Sequence, residues 1–144
     1  MNLLIDFAFK RLFGQPQGAD LLVSFLNAIL RRDGAQRIVQ VEFHNTEFSS
    51  KNMRDKAVRL DVLVRTNTDE WIDVEVQVAS QKILLQRSLL YWARAYDGQT
   101  ERGKDYSILR PTLVIQILDF VFVHSTERFH TSYHGALCSH TESR

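Results

Sequence analysis

Two acidic residues, Asp61 and Glu75, lie on neighbouring segments in which apolar and polar residues alternate. Thr66-Asn67-Thr68-Asp69-Glu70 separates the two patterns. Read as a five-residue hairpin loop, a common length, this stretch makes Arg65 face Trp71. Counting back then sets Asp61 opposite Glu75. Directly opposed side chains have Cβ atoms roughly 4.5–5.5 Å apart. Two carboxylates so placed repel each other, and a divalent cation between them relieves the repulsion. Mg²⁺ is usually held by one or two carboxylates plus water and substrate phosphates. Asp73, Glu75 and Gln77 share one side of their strand; Val74, Val76 and Val78 share the other. Asp61 shares its side with Arg59 and Arg65. A slip of one residue would undo the pairing. Spacing alone leaves two readings open: a polar sheet face turned to water, which is the default, or a cation-binding pair.

Arg87, Tyr91 and Arg94 fall at i, i+4 and i+7, on one stripe of a helix. Only a short turn separates that helix from the Glu75 strand, which would let the stripe flank the acids. Arginine offers a planar fork of donors suited to phosphate. The competing reading is a solvated helix face. Basic residues also gather at Arg31, Arg32, Lys51, Arg54, Lys56 and Arg59. Lys56 and Arg59, with Arg94, are the candidate nucleic-acid contacts, against the ordinary alternative of charges that only solvate a surface.

Several elements must position these residues. Residues 5–13 read as a helix, with Asp6 favouring its start and Gly14 its end. A second helix spans Ala19 to Leu30. Alternation predicts strands over 39–43, 58–64 and 72–78, with His44 to Lys56 as a long loop or turn. A helix over 81–99 places Leu85, Leu89, Trp92 and Tyr96 on its core face. Residues 112–123 read as a buried strand with Pro111 at its entrance. The order α-α-β-β-β-α-β predicts an α/β fold, a mixed central sheet flanked by helices.

The chain has 144 residues, 44% of them hydrophobic and 24% charged, which suits one ordinary globular domain. A net charge of +1 neither requires nor excludes a nucleic-acid partner. A lone cysteine, Cys138, rules out an internal disulfide framework and fits a reducing compartment. Asp6, Lys10 and Arg11 interrupt the early apolar run, so it does not read as a secretory signal. The longest apolar run, Leu113 to Val123, is too short to span a bilayer. A soluble cytoplasmic protein without a membrane partner is expected. Histidines occupy positions 44, 124, 130, 134 and 140. His130 and His134 have a zinc-compatible i, i+4 spacing, but nothing else supports a zinc site. Phosphate-loop, dinucleotide and serine-nucleophile motifs are missing.

Six ordered segments resemble the PD-(D/E)XK nuclease family transposases, or recombination-promoting nucleases. They are DFAFKRLFG at 6–14, LLVSFLNAIL at 21–30, DKAVRLDVLV at 55–64, WIDVEVQ at 71–77, QRSLLYWARAYDGQ at 86–99 and GKDYSILRPTLVIQILDF at 103–120. The resemblance implies a restriction-endonuclease-like core over residues 1–129. It implies Asp61 and Glu75 as catalytic metal ligands, with the Val76 backbone carbonyl as a further ligand. Gln77 stands where many superfamily members carry lysine, since this family's usual form is E-x-Q. Asp6 and Lys10 match the family's N-terminal motif and, with Arg87 and Tyr91, are possible supporting residues. The implied activity is DNA endonucleolysis in transposition or recombination, with Mg²⁺ or another divalent cation such as Mn²⁺. An inactive remnant serving as a binding module and a nuclease acting on RNA are the alternatives. Gln77 cannot supply charge, so Arg87 or a second metal is expected to do so. Family members typically continue further. Residues 130–144 therefore read as an atypical, disordered or truncated tail, and an apolar face left uncovered would favour a homo-oligomer.

Overall fold

The computed structural model describes residues 3–44, 46–48, 58–77, 83–100, 103, 105–122 and 124. Lys51, Arg54, Lys56, Val78 and the segment 130–144 lie outside them, so expectations placed there concern residues outside the description. Helices α1 (Leu3–Phe13) and α2 (Ala19–Leu30) lead into strands β1 (Val41–Phe43), β2 (Glu47–Phe48), β3 (Val58–Arg59), β4 (Val62–Thr66) and β5 (Trp71–Gln77). Helix α3 (Leu84–Asp97) and strand β6 (Thr112–Leu118) follow. A four-stranded sheet has the order β1-β4-β5-β6, and β2 pairs with β3 separately. β4 runs antiparallel to β1 and β5, and β6 runs parallel to β5. The sheet is mixed, as the element order requires.

Helices cover both faces. Leu22 and Leu26 of α2 and Phe9 of α1 pack on Val62, Val64, Ile72 and Val74. The ring of Phe13 bridges the two helices, 5.0 Å from Phe9 and 5.4 Å from Phe25. Buried Asn27 ties α2 to the segment before β1: its Nδ2 donates to the Ile38 carbonyl at 2.7 Å and its Oδ1 accepts from the Ile38 amide at 2.9 Å. Gly18 lets the chain turn tightly between the helices, because a Cβ there would sit 1.8 Å from the Leu12 carbonyl oxygen. On the opposite face Leu60, Leu63, Tyr91 and Ala95 form a smaller cluster with Trp71 against it.

Four expectations change. Asp6 lies inside α1, which begins at Leu3, so it does not cap that helix. The loop region 44–56 contains β2. The strand expected over 112–123 ends at Leu118 and is half-buried throughout, because β6 forms one margin of the sheet. The core face of α3 is also different. Leu85, Leu89 and Trp92 are exposed, Leu89 to 66%, and the inward residues are Leu84, Tyr91 and Ala95. The sheet face under α3 carries Asp73, Glu75 and Gln77. A helix seated on it therefore presents a tyrosine and small side chains in place of its leucine stripe.

Candidate active site

The hairpin register is the expected one: Arg65 pairs with Trp71, Leu63 with Asp73 and Val62 with Val74. Strand pairing then stops. The Leu60 amide donates to the Thr46 carbonyl, not to β5. Leu60 and Leu63 join the same cluster, whereas residues three apart in a regular strand point to opposite faces. The single strand expected over 58–64 is thus broken at Leu60–Asp61, and Asp61 sits in the bend.

That break leaves backbone groups of β5 without ladder partners, and Asp61 takes one of them over. Asp61 Oδ2 accepts from the Val76 amide at 3.1 Å, and the Asp61 amide donates to Glu75 Oε1 at 2.8 Å. The two acids are interlocked through each other's strand. Val76 N–H and C=O point the same way along an extended strand, so the Val76 carbonyl faces the same gap. It does not receive the Leu60 amide, which is spent on Thr46.

The polar side of β5 is not a solvated face. Asp73 is 0% exposed, Glu75 2% and Gln77 8%. Burial pushes the Glu75 carboxyl up to about 7; the negative charge of Asp61 adds to this, and the Asp61 amide, Asp73 and the Arg87 guanidinium oppose it. Burial pushes Asp73 higher, to about 9, with the charge of Glu75 next in effect. Among the described residues neither Asp73 carboxyl oxygen has a hydrogen-bond partner. Two carboxylates only accept, so a proton is what would let Asp73 donate to Glu75, in keeping with the raised direction of both groups. Gln116 lies beside Glu75 on β6, and its buried amide nitrogen and oxygen also lack partners among the described residues. Sequence reading did not single out Asp73 or Gln116 as site residues. Their signal was faint: a polar residue inside WIDVEVQ and another inside the apolar run TLVIQIL.

Cations approach the pair from both layers. Lys10 of α1 places its Nζ 2.9 Å from Asp61 Oδ1. On α3, Arg87 donates to the Tyr91 hydroxyl and lies 5.3 Å from the centre of the Tyr91 ring. Tyr91 is buried and Arg94 half-buried, so their stripe is not the solvated face of the competing reading. Arg59 ends β3, two residues before Asp61. A polar cleft of about 270 Å³ lined by Gln40, Glu42, Arg65 and Asn67 lies at the turn end of the hairpin, away from the acids.

The donor set suits a hard cation. Among the described residues no three His, Cys, Asp or Glu side chains converge to hold a metal by themselves. Two carboxylates and a carbonyl, all oxygen donors, match the sparse protein ligation of Mg²⁺, which leaves places for water and phosphate. No helix among the described residues is long and apolar enough to cross a membrane.

A mixed four-stranded sheet under helices on both faces is an α/β architecture consistent with that of PD-(D/E)XK nucleases. The chain belongs to the PD-(D/E)XK nuclease family transposases, whose family model matches residues 3–142. Comparison with curated proteins and with solved structures gives no match.

Proposed function

We propose that this chain is a divalent-cation-dependent endonuclease that hydrolyses DNA phosphodiester bonds in the cytoplasm, in the service of transposition or recombination. The observation that carries this reading is the interlocked pair Asp61 and Glu75 at the end of β4, in a chain of nuclease family. Asp61, Glu75 and the Val76 carbonyl would hold Mg²⁺ or Mn²⁺. A cation bound there would polarise the scissile phosphate and make its water more acidic.

The chain's own groups do the rest. The Asp61 amide fixes Glu75 Oε1 and the Val76 amide fixes Asp61 Oδ2, while Asp61 Oδ1 faces the Lys10 ammonium, which a cation would have to displace. Gln77, buried two residues after Glu75, can orient a neighbour by hydrogen bonds but cannot act as a base. Arg87 favours the charged form of Glu75 from the helix above. Arg94 and Arg59 are the remaining candidates for contacts to the nucleic-acid backbone.

Nicking of supercoiled plasmid tests the proposal. Cleavage should require Mg²⁺ or Mn²⁺, stop with EDTA, and vanish in Asp61→Asn and Glu75→Gln. Metal-dependent nicking that persists in either variant overturns the site. A parallel RNA substrate decides between the sugars, since two acids and a cation do not distinguish them.

A further inference from the structure

We propose that Lys10 supplies the positive charge at the scissile phosphate that Gln77 does not, reaching the Asp61–Glu75 site from helix α1. This rests on the nuclease reading of that site. Position 77 lies two residues beyond Glu75 on the same strand and holds a buried, uncharged amide. A phosphoryl transfer site without a cation beyond its metal leaves negative charge in the transition state poorly compensated. Two basic side chains of the described residues act on the acids. Arg87 acts on Glu75 at longer range and shares a hydrogen bond with Tyr91. Lys10 touches Asp61 itself.

The fold aims Lys10. Its neighbour Phe9 is buried in the core under β4 and β5, and Phe13, one turn on, packs with a tilted ring between Phe9 and Phe25. These contacts fix the rotation of α1 and turn the Lys10 stem toward the end of β4. Its side chain is 37% exposed against 13% for Asp61, so Lys10 is the more open member of the ion pair and the one an arriving phosphate can reach. Lysine is a compact charge on a flexible stem with three rotatable donors. Its Nζ can move from Asp61 Oδ1 to a phosphate oxygen over about one hydrogen-bond length when a cation claims that carboxylate. In the reaction, a water oxygen bonds to phosphorus and the bond from phosphorus to the leaving oxygen breaks. One water proton passes to solvent, and the leaving oxygen takes a proton from solvent. Lys10 stabilises the charge on the phosphate oxygens and gives up no proton.

The competing role for Lys10 is to neutralise Asp61 and nothing more, and the two roles separate cleanly. Lys10→Gln and Lys10→Arg are compared with the wild-type chain in two measurements: kcat for plasmid nicking at saturating Mg²⁺, and Mn²⁺ binding without DNA, followed by electron paramagnetic resonance. Circular dichroism confirms that each variant is folded. We expect Lys10→Gln to lose about 100-fold in kcat, the scale of deleting one transition-state donor, with Mn²⁺ binding unchanged or tighter. Lys10→Arg should keep kcat within about tenfold of wild type, because the charge survives. A Lys10→Gln kcat within about threefold of wild type overturns the inference, as does loss of Mn²⁺ binding in step with kcat. An arginine variant as inactive as the glutamine variant overturns it too. A wild-type chain with no metal-dependent cleavage sinks the nuclease reading instead, which keeps the two failures distinct.

Discussion

The amide of Asp61 donates to Glu75 Oε1 at 2.8 Å, across the point where β4 leaves the sheet. With the return bond from the Val76 amide to Asp61 Oδ2, this makes each acid a structural part of the other's strand. Alanine substitutions therefore confound two effects. Asp61→Ala leaves the Val76 amide without its acceptor, and Glu75→Ala does the same to the Asp61 amide. Stranding a buried donor costs about 1–3 kcal/mol. The amide variants Asp61→Asn and Glu75→Gln retain a carbonyl acceptor but lose the charge. We predict that all four abolish metal-dependent cleavage. Only the alanine variants should lower the urea midpoint appreciably. Equal stability of Asp61→Ala and Asp61→Asn would contradict the interlock.

The two buried acids set a pH dependence of stability. Burial holds Asp73 near 9 and Glu75 near 7, against ordinary values of 3.8 and 4.5. Both acids bind protons more tightly when folded than when unfolded. Their contribution is therefore fully present below pH 4, and is lost as pH rises through about 7 and then about 9. The urea midpoint should fall between pH 5 and pH 9. Asp73→Asn, which cannot ionise, should fall less over the upper half of that range. A wild-type midpoint that is flat, or that rises with pH, rejects the assignment. Divalent cations oppose the trend. Mg²⁺ at one hundred times its Kd at pH 8 should add about 2.7 kcal/mol there, and the same concentration should add less at pH 5, because protons compete for Glu75.

Helix α3 gives a test of packing. Leu84 is 3% exposed and Leu89 66%. Leu84→Ala should cost about 2–5 kcal/mol, and Leu89→Ala should stay within about 0.5 kcal/mol. Ala95, 1% exposed beside Leu63 and Tyr91, should not accept leucine without a penalty of about 1–3 kcal/mol. Thermal melts of the three variants decide which stripe of α3 faces the sheet. A Leu89→Ala penalty as large as that of Leu84→Ala would return the leucine stripe to the core.

The same helix shows where sequence reading stops. Helical period placed α2 on its observed residues, and the hairpin loop between β4 and β5 set their register correctly. These features depend on neighbours along the chain. Which face of α3 is buried depends instead on what lies beneath it. The polar residues of β5, which alternate as a solvated face would, are in fact covered by that helix. Apolar periodicity therefore pointed α3 the wrong way. The break at Leu60–Asp61 was also hidden, because Val58, Leu60, Val62 and Val64 alternate without interruption; the Leu60 amide turns away from β5 to the Thr46 carbonyl, just before β2. Lys10 shows the same limit. Its motif was visible in the resemblance, but its contact with Asp61, a residue 51 positions later by numbering, requires the packing of α1 on the sheet.

Arg87 should tune the site through Glu75. Its guanidinium lies on α3 and opposes the rise that burial imposes on the Glu75 carboxyl. Arg87→Ala removes that opposition, so Glu75 holds its proton to higher pH. A metal ligand must be deprotonated to bind. The variant should therefore need more Mg²⁺ for half-maximal cleavage, and should lose more activity at pH 6.5 than at pH 8.5. A deficit at low pH that closes at high pH is the expected pattern. Arg87→Lys keeps the charge, although it loses the planar fork that meets the Tyr91 hydroxyl, and should recover most of the low-pH activity. Cleavage by Arg87→Ala equal to wild type at both pH values would remove Arg87 from the site. A deficit that is the same at both would give it a role at the phosphate and not at Glu75.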